Sequence, residues 1–213
     1  MSRKSKVGTS AGTCFSIDID KKQYLVTAKH VVANLKDGDV IELFHENQWK
    51  GYPIRLIGHS GLADVTVISL INVVIEGHEL PATTKDMAYG QDIYFLGFPY
   101  GFQTEVGELN RGFPLPLVKK GIASTITTKK VPQHFLIDGH NNSGFSGGPV
   151  VFCPPGSNNF QVGGVISGYH PEYDDSSGQR QAIPNTNSGI IVAYDILNAL
   201  ELIKTNPQGT EIK

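Results

Sequence analysis

Apolar and polar positions alternate in short runs through the first half of the chain, over residues 14–19, 23–28, 40–44, 52–57 and 65–70. Period-two alternation bounded by turn residues marks strands with one face in a core. Asp20-Lys21-Lys22 separates the first two runs and predicts a hairpin with a short polar loop. The stretch 76–90, with Gly77 and Pro81, breaks the pattern and sets a boundary between an N-terminal unit, 8–80, and a C-terminal unit, 91–213. Runs then resume at 92–97, 115–126, 135–138, 149–152, 162–167 and 189–193. Only 194–204 has helical spacing, with Ile196, Leu197, Leu200 and Ile203 on one face. Two sets of about six strands and a terminal helix predict an all-β protein: two closed or nearly closed six-stranded antiparallel β-barrels with a C-terminal helix.

Composition agrees with short strands and many turns, since the 213 residues include 24 glycines and 12 prolines. The formal net charge is −2, and basic residues occur in scattered pairs (Lys21-Lys22, Lys119-Lys120, Lys129-Lys130) that read as surface lysines. No basic stripe of the kind that binds nucleic acid is present. Cys14 and Cys153 fall in different expected strands and read as reduced, half-buried core residues, too few for a disulfide scaffold. The basic start, Met1-Ser2-Arg3-Lys4-Ser5-Lys6, has no apolar segment of signal-peptide length behind it, and no run reaches membrane-span length. A cytoplasmic protein without a membrane partner is therefore the expectation. Residues 97–114 and 170–188 form long loops; in the second, Asp174-Asp175-Ser176-Ser177-Gly178 reads as a solvated excursion lacking regular calcium-loop spacing.

Candidate chemistry centres on Asn142-Ser143-Gly144-Phe145-Ser146-Gly147-Gly148-Pro149, a glycine-rich turn running into an apolar strand. Glycines there let the backbone bend around Ser146 and leave room for a substrate backbone. The same bend can aim the amides of Gly144 and Ser146 at one point, where an oxyanion would sit. A strand-entry loop with a structural serine is the bland alternative. A nucleophilic Ser146 needs a base and a group that orients the base. His30, just past the apolar run 23–28, offers the base, although a lone histidine at a strand end is more often a surface residue. Asp64 opens the alternating run 65–70 and can orient an imidazole or cap a turn. Asp37, Asp39 and Asp92 are rivals, but none opens so regular a strand.

Taken together, three blocks resemble those of the trypsin/chymotrypsin superfamily of serine endopeptidases. Thr27-Ala28-Lys29-His30-Val31 is similar to its Thr-Ala-Ala-His block, and Asp64-Val65-Thr66-Val67-Ile68 to its Asp-Ile-Ala-Leu-Leu block. Gly144-Phe145-Ser146-Gly147-Gly148-Pro149 is similar to Gly-Asp-Ser-Gly-Gly-Pro, and the order His, Asp, Ser is the family's. Ser10-Ala11-Gly12-Thr13-Cys14-Phe15, Leu96-Gly97-Phe98-Pro99-Tyr100-Gly101 and Gly121-Ile122-Ala123-Ser124 resemble the bacterial, disulfide-poor branch that includes the heat-shock proteases. The resemblance implies a trypsin-like double barrel acting on a polypeptide substrate through an acyl-enzyme. The N-terminal barrel would carry His30 as base and Asp64 as orienter. The C-terminal barrel would carry Ser146 as nucleophile, with the Gly144 and Ser146 amides as oxyanion hole. Residues 165–169 would be the edge strand that pairs with the substrate. No metal or organic cofactor is implied.

Departures from the family pattern narrow this expectation. Phe145 stands where the digestive enzymes have the aspartate that pairs with a newly cleaved N-terminus, so activation by that salt bridge is excluded. Val31 replaces a disulfide cysteine. By the family's geometry His140 would lie near the base of the specificity pocket, with Ser167, Gly168 and Tyr169 along one wall and Gly189 in another. No acidic residue matches the one that selects lysine or arginine, which argues against trypsin-like cleavage. Two further readings stand beside the protease: a double barrel that captures peptides without cutting them, and a latent effector domain ordered by an activating partner or a fused regulatory domain. The segment 204–210 reads as a linker.

Overall fold

The computed structural model describes residues 5–7 by backbone alone and residues 12–73, 75, 77, 80–127, 132–176 and 180–212 in full. Lys129-Lys130, Ser177 and Gly178 lie outside the described residues. The first half forms β1 (Ser5–Val7), β2 (Cys14–Ile19), β3 (Lys22–Thr27), β4 (Val40–His45), β5 (Gln48–His59) and β6 (Thr66–Leu70). The second forms β7 (Asp92–Gly97), β8 (Gln103–Thr104), β9 (Leu115–Thr127), β10 (His134–Asp138), β11 (Pro149–Phe152), β12 (Gln161–Tyr169), β13 (Tyr173–Asp174), β14 (Gln181–Ala182) and β15 (Ile190–Asp195). The helix α1 (Leu197–Thr205) and a short β16 (Thr210–Glu211) close the chain.

These strands make a predominantly β architecture of two large sheets. The second runs β10-β15-β12-β11-β7-β9 and returns on itself through β9–β10 pairing, a closed six-stranded antiparallel barrel. Its interior is filled from alternating positions, Ile93 and Phe95, Phe135 and Ile137, Val150 and Phe152, Ile191 and Ala193, all buried. Such alternation is what a strand with one face on a core requires. The first sheet runs β1-β4-β5-β6-β3-β16 with β2 on β3, over a separate core that includes Leu25, Ile41, Ile54, Ile68 and Leu70.

A third apolar cluster joins the two sheets. Val26, Val65 and Val67 of the first pack with Val162 and Val165 of the second and with Ala199 and Ile203 of α1. β6 is buried along its whole length because its two faces serve different cores, Val67 one and Ile68 the other. That burial anchors the residues just before it, Asp64 included.

Two details differ from the sequence expectation. Tyr194 and Asp195 finish β15 instead of opening the helix: Tyr194 pairs with His134 and Val165, and the Asp195 carboxylate accepts the Leu197 N–H at 2.9 Å, marking where helical backbone begins. The expected linker is ordered. Its last residue, Thr210, begins β16, which pairs with Lys22 and Gln23 of β3, and the Asn206 amide donates to the Ile57 carbonyl at 3.1 Å. Cys14 and Cys153 are both free and half-buried, and burial pushes the Cys14 thiol up to about 12. No described helix is long and apolar enough to cross a membrane.

Candidate functional site

His30 sits in a single 3-10 turn, Lys29–Val31, directly after β3. Its backbone N–H donates to Asp64 Oδ1 at 2.8 Å and its ring Nδ1 meets Asp64 Oδ2 at 2.6 Å. The loop before β6 aims the carboxylate: Ser60 Oγ accepts the Ala63 N–H at 3.0 Å, and the Ser60 N–H reaches the Val65 carbonyl at 2.9 Å. An ionised carboxylate only accepts hydrogen bonds, so the imidazole must carry its proton on Nδ1. Nε2 is then the basic atom, on a side chain that is 51% exposed.

The electrostatics follow from these contacts. The hydrogen bond to Asp64 raises the His30 ring above its ordinary 6.5, against the opposing effect of burial. Burial alone would raise the Asp64 carboxyl. The His30 ring, the Ser167 hydroxyl and the His30 backbone N–H together hold it below 3.8 instead. Ser167 Oγ donates to Asp64 Oδ2 at 2.6 Å, so this carboxylate is gripped from both sheets.

Ser146 reaches the same place from the second sheet, at the turn that leads into β11. Its hydroxyl donates to the Ser167 carbonyl at 3.0 Å. Among the described residues no hydrogen bond joins Ser146 Oγ to the His30 ring. The turn itself depends on glycine. Gly144 has φ +109, and a Cβ there would fall 2.5 Å from the Phe98 carbonyl oxygen; Gly147 has φ +84, and a Cβ would fall 2.2 Å from that of Thr13. Only glycine fits both the left-handed backbone and the close approach.

Neighbouring segments hold the turn's polar groups. The Tyr100 N–H donates to the Ser143 carbonyl at 3.2 Å. Across a trans peptide, C=O and N–H point in opposite directions, so this bond turns the Gly144 N–H away from Tyr100. Thr13 Oγ1 donates to the Gly144 carbonyl at 2.7 Å, and the Thr13 N–H donates to the Ser146 carbonyl at 2.7 Å. Phe145 is fully buried and meets Phe95 edge-on at 5.1 Å, an apolar anchor under the turn.

Of the residues expected around a specificity pocket, Gly189 and Gly168 are each contacted by a neighbour of His140. The Gly139 N–H donates to the Gly189 carbonyl at 2.9 Å, and the Asn141 amide lies 3.5 Å from the Gly168 carbonyl. His140 is exposed, and its carbonyl accepts Lys119 Nζ. The buried polar side chain at this point is Asn141. The His170 N–H and carbonyl both bond toward β15, the N–H to Ile190 and the carbonyl to the Ser188 N–H. Strand alternation therefore turns the main-chain groups of Tyr169 the other way.

Several roles were not legible in the sequence. Thr13 and Tyr100 lay in blocks that carried the family resemblance but had no role assigned, and with Lys119 they act on the turn through contacts remote in sequence. Ser167 stood out as part of the edge strand and as a pocket wall, not as a partner of Asp64. Lys119, expected as a solvated lysine, is folded onto the turn. Among the described residues no group of His, Cys, Asp and Glu is placed to hold a metal ion.

No curated protein matches the chain. Solved structures with the same fold include the HtrA-type protease AlgW with a decapeptide, at 19% identity and TM-score 0.57 over 95% of this chain and 53% of that one. A serine-to-alanine form of AlgW with decapeptide gives 18% identity and TM-score 0.60 over 93% and 52%. The inactive form of Rv3671c from M. tuberculosis gives 16% and 0.55 over 92% and 81%. The chain spans about half the length of the AlgW chains it matches. The trypsin-like peptidase domain family matches residues 12–153, a stretch that includes His30, Asp64 and Ser146. With most of its length matched, the chain belongs to the trypsin-like peptidase domain family.

Proposed function

We propose that this protein is a serine endopeptidase that cleaves polypeptides through an acyl-enzyme, with Ser146 as nucleophile, His30 as general base and then acid, and Asp64 as orienter. One observation carries the reading: the Asp64 carboxylate binds both the ring and the backbone of His30, at 2.6 and 2.8 Å, leaving Nε2 as the free basic atom.

In the reaction the Ser146 hydroxyl leaves the Ser167 carbonyl and turns to His30 Nε2, which takes its proton as Oγ attacks the scissile carbonyl. The substrate oxygen becomes an oxyanion, stabilised by the Gly144 and Ser146 amides. His30 then delivers the proton to the leaving amine. Water enters, gives its proton to His30 and attacks the ester, and His30 returns that proton to Ser146 Oγ as the acid leaves. The substrate backbone lies antiparallel to residues 167–169, taking the main-chain groups of Tyr169 that face away from β15. Phe145, which has no carboxylate to pair with a terminus, fills its buried position from within the chain.

AlgW is an HtrA-type protease seen with a decapeptide, which supports a peptide ligand for this related fold. The testing experiment is intact mass after exposure to a fluorophosphonate, with Ser146→Ala as control. A single adduct absent from the variant is the expected result. A folded protein that takes no adduct would leave peptide capture, or a site ordered by a partner or a fused domain, as the better reading.

A further inference from the structure

The turn of residues 139–146 carries irregular backbone beside Ser146, and β9 reaches it through one side chain. Lys119 and Lys120 are neighbours on β9 and point to opposite faces, as successive strand residues must. Lys120 is exposed and pairs with Asp92 at 2.7 Å. Lys119 is half-buried, opposite Phe95 in the ladder, and its ammonium donates to the His140 carbonyl. Its Nζ also lies 3.5 Å from Asn142 Oδ1 and 5.9 Å from the centre of the Phe145 ring. Among the described residues no carboxylate lies within ion-pair distance of it.

This cation is directed wholly at the turn. We propose that Lys119 is a positioning residue that holds the nucleophile turn in its reactive shape from inside the chain. A hydrogen bond from an ammonium is stronger than one between neutral groups, and the face of Phe145 offers the cation a second attraction. Fixing the His140 carbonyl orients the peptide that leads into Asn141. Asn141 in turn connects the turn to the rest of the second sheet: its carbonyl accepts the Asn187 amide at 2.7 Å, and its own amide faces the Gly168 carbonyl. Lys119 thus sets how the turn sits against β12, two residues from the Gly144 amide at its near end, without touching substrate.

The kinetic part of this inference rests on the serine-peptidase reading; the conformational part does not. The test compares Lys119→Met, which keeps the apolar stem, with Lys119→Arg, which keeps the charge, in the full chain. Two readouts are taken: amide hydrogen exchange of residues 139–146, and fluorophosphonate labelling resolved into probe binding and maximal rate. With Met, exchange across the turn accelerates at least about tenfold while β7 and β12 keep their protection. The maximal labelling rate falls about 10- to 100-fold with probe binding little changed. Arg restores both to within about threefold. Unchanged exchange and labelling in Lys119→Met would overturn the proposal, as would an equal loss of protection throughout the second sheet. If the unmutated protein takes no label, the peptidase reading fails, and the exchange comparison still decides the role of Lys119.

Discussion

Ser167 Oγ donates to Asp64 Oδ2 at 2.6 Å, a bond between residues 103 positions apart. The main-chain carbonyl of Ser167 also accepts the Ser146 hydroxyl at 3.0 Å. One residue of the second sheet therefore touches the proposed orienter with its side chain and the proposed nucleophile with its backbone. Position 167 aligns the two halves of the site.

Ser167→Ala removes the side-chain bond and keeps the carbonyl. Asp64, already disfavoured by burial, loses one of the donors that hold its carboxyl low. A less stabilised carboxylate attracts the imidazolium more strongly, so the His30 ring rises further. The acid limb of the labelling or peptidase rate moves to higher pH, and the plateau rate falls about 3- to 10-fold, the worth of one hydrogen bond. A pH profile of the variant beside the unmutated protein checks both; a limb moving downward would contradict the geometry.

Asp64→Asn tests the other end of the pair. His30 must be neutral to take a proton, so activity is absent at low pH and appears as the ring deprotonates, with a midpoint above 6.5. The hydrogen bond to the Asp64 carboxylate is the main cause of that raised value. With a neutral amide in place of the carboxylate, burial acts unopposed and the midpoint drops to the ordinary histidine value or below. Turnover falls about 10⁴-fold, because the ring no longer holds its proton on Nδ1. NMR titration of the His30 ring in both proteins reads the midpoint independently of activity.

How much of this was legible before the structure depends on how local each signal is. His30, Asp64 and Ser146 each sit in a short block next to a strand, and alternation identified β3, β6 and β11 well enough to locate them. Thr13 also sits in a short block beside a strand, but its role was not legible, because it exists only when the start of β2 is brought to a turn 131 residues away. Lys119 looked like half of a surface pair, and only the pleat of β9 separates it from Lys120. The helix start was misplaced at Tyr194 for a related reason. The apolar spacing of 194–204 cannot show that Tyr194 and Asp195 are already paired in the sheet.

Thr13→Val examines one of those hidden contacts. Valine matches threonine in shape but leaves the Gly144 carbonyl and the Phe98 N–H without their hydroxyl partner, at 2.7 and 3.2 Å in the structure. Thr13 is only 2% exposed, so water cannot readily take its place. Stability drops by about 2–4 kcal/mol from the two unpaired groups. Labelling of Ser146 slows as the turn loses its contact with β2. Urea denaturation with Thr13→Ser as control makes the comparison, since serine retains the hydroxyl and should stay near the unmutated protein.

Gly147→Ala measures what the close approach at the turn is worth. A Cβ at this position would fall 2.2 Å from the Thr13 carbonyl oxygen and 2.8 Å from the Ala28 nitrogen, both backbone atoms. Neither side can yield cheaply: the Gly147 N–H is bonded to the Ile166 carbonyl at 2.7 Å, and the Thr13 carbonyl accepts Thr27 Oγ1 at 2.7 Å. Gly38 provides the control, with a similar φ of +80 and nothing within 4 Å of its would-be Cβ. Gly38→Ala should cost only the left-handed penalty, about 1–2 kcal/mol. Gly147→Ala adds the strain of overpacking and should cost about 3–5 kcal/mol. Equal losses for the two variants in chemical denaturation would mean that the turn tolerates a wider separation between the sheets than the bonds to Thr13 imply.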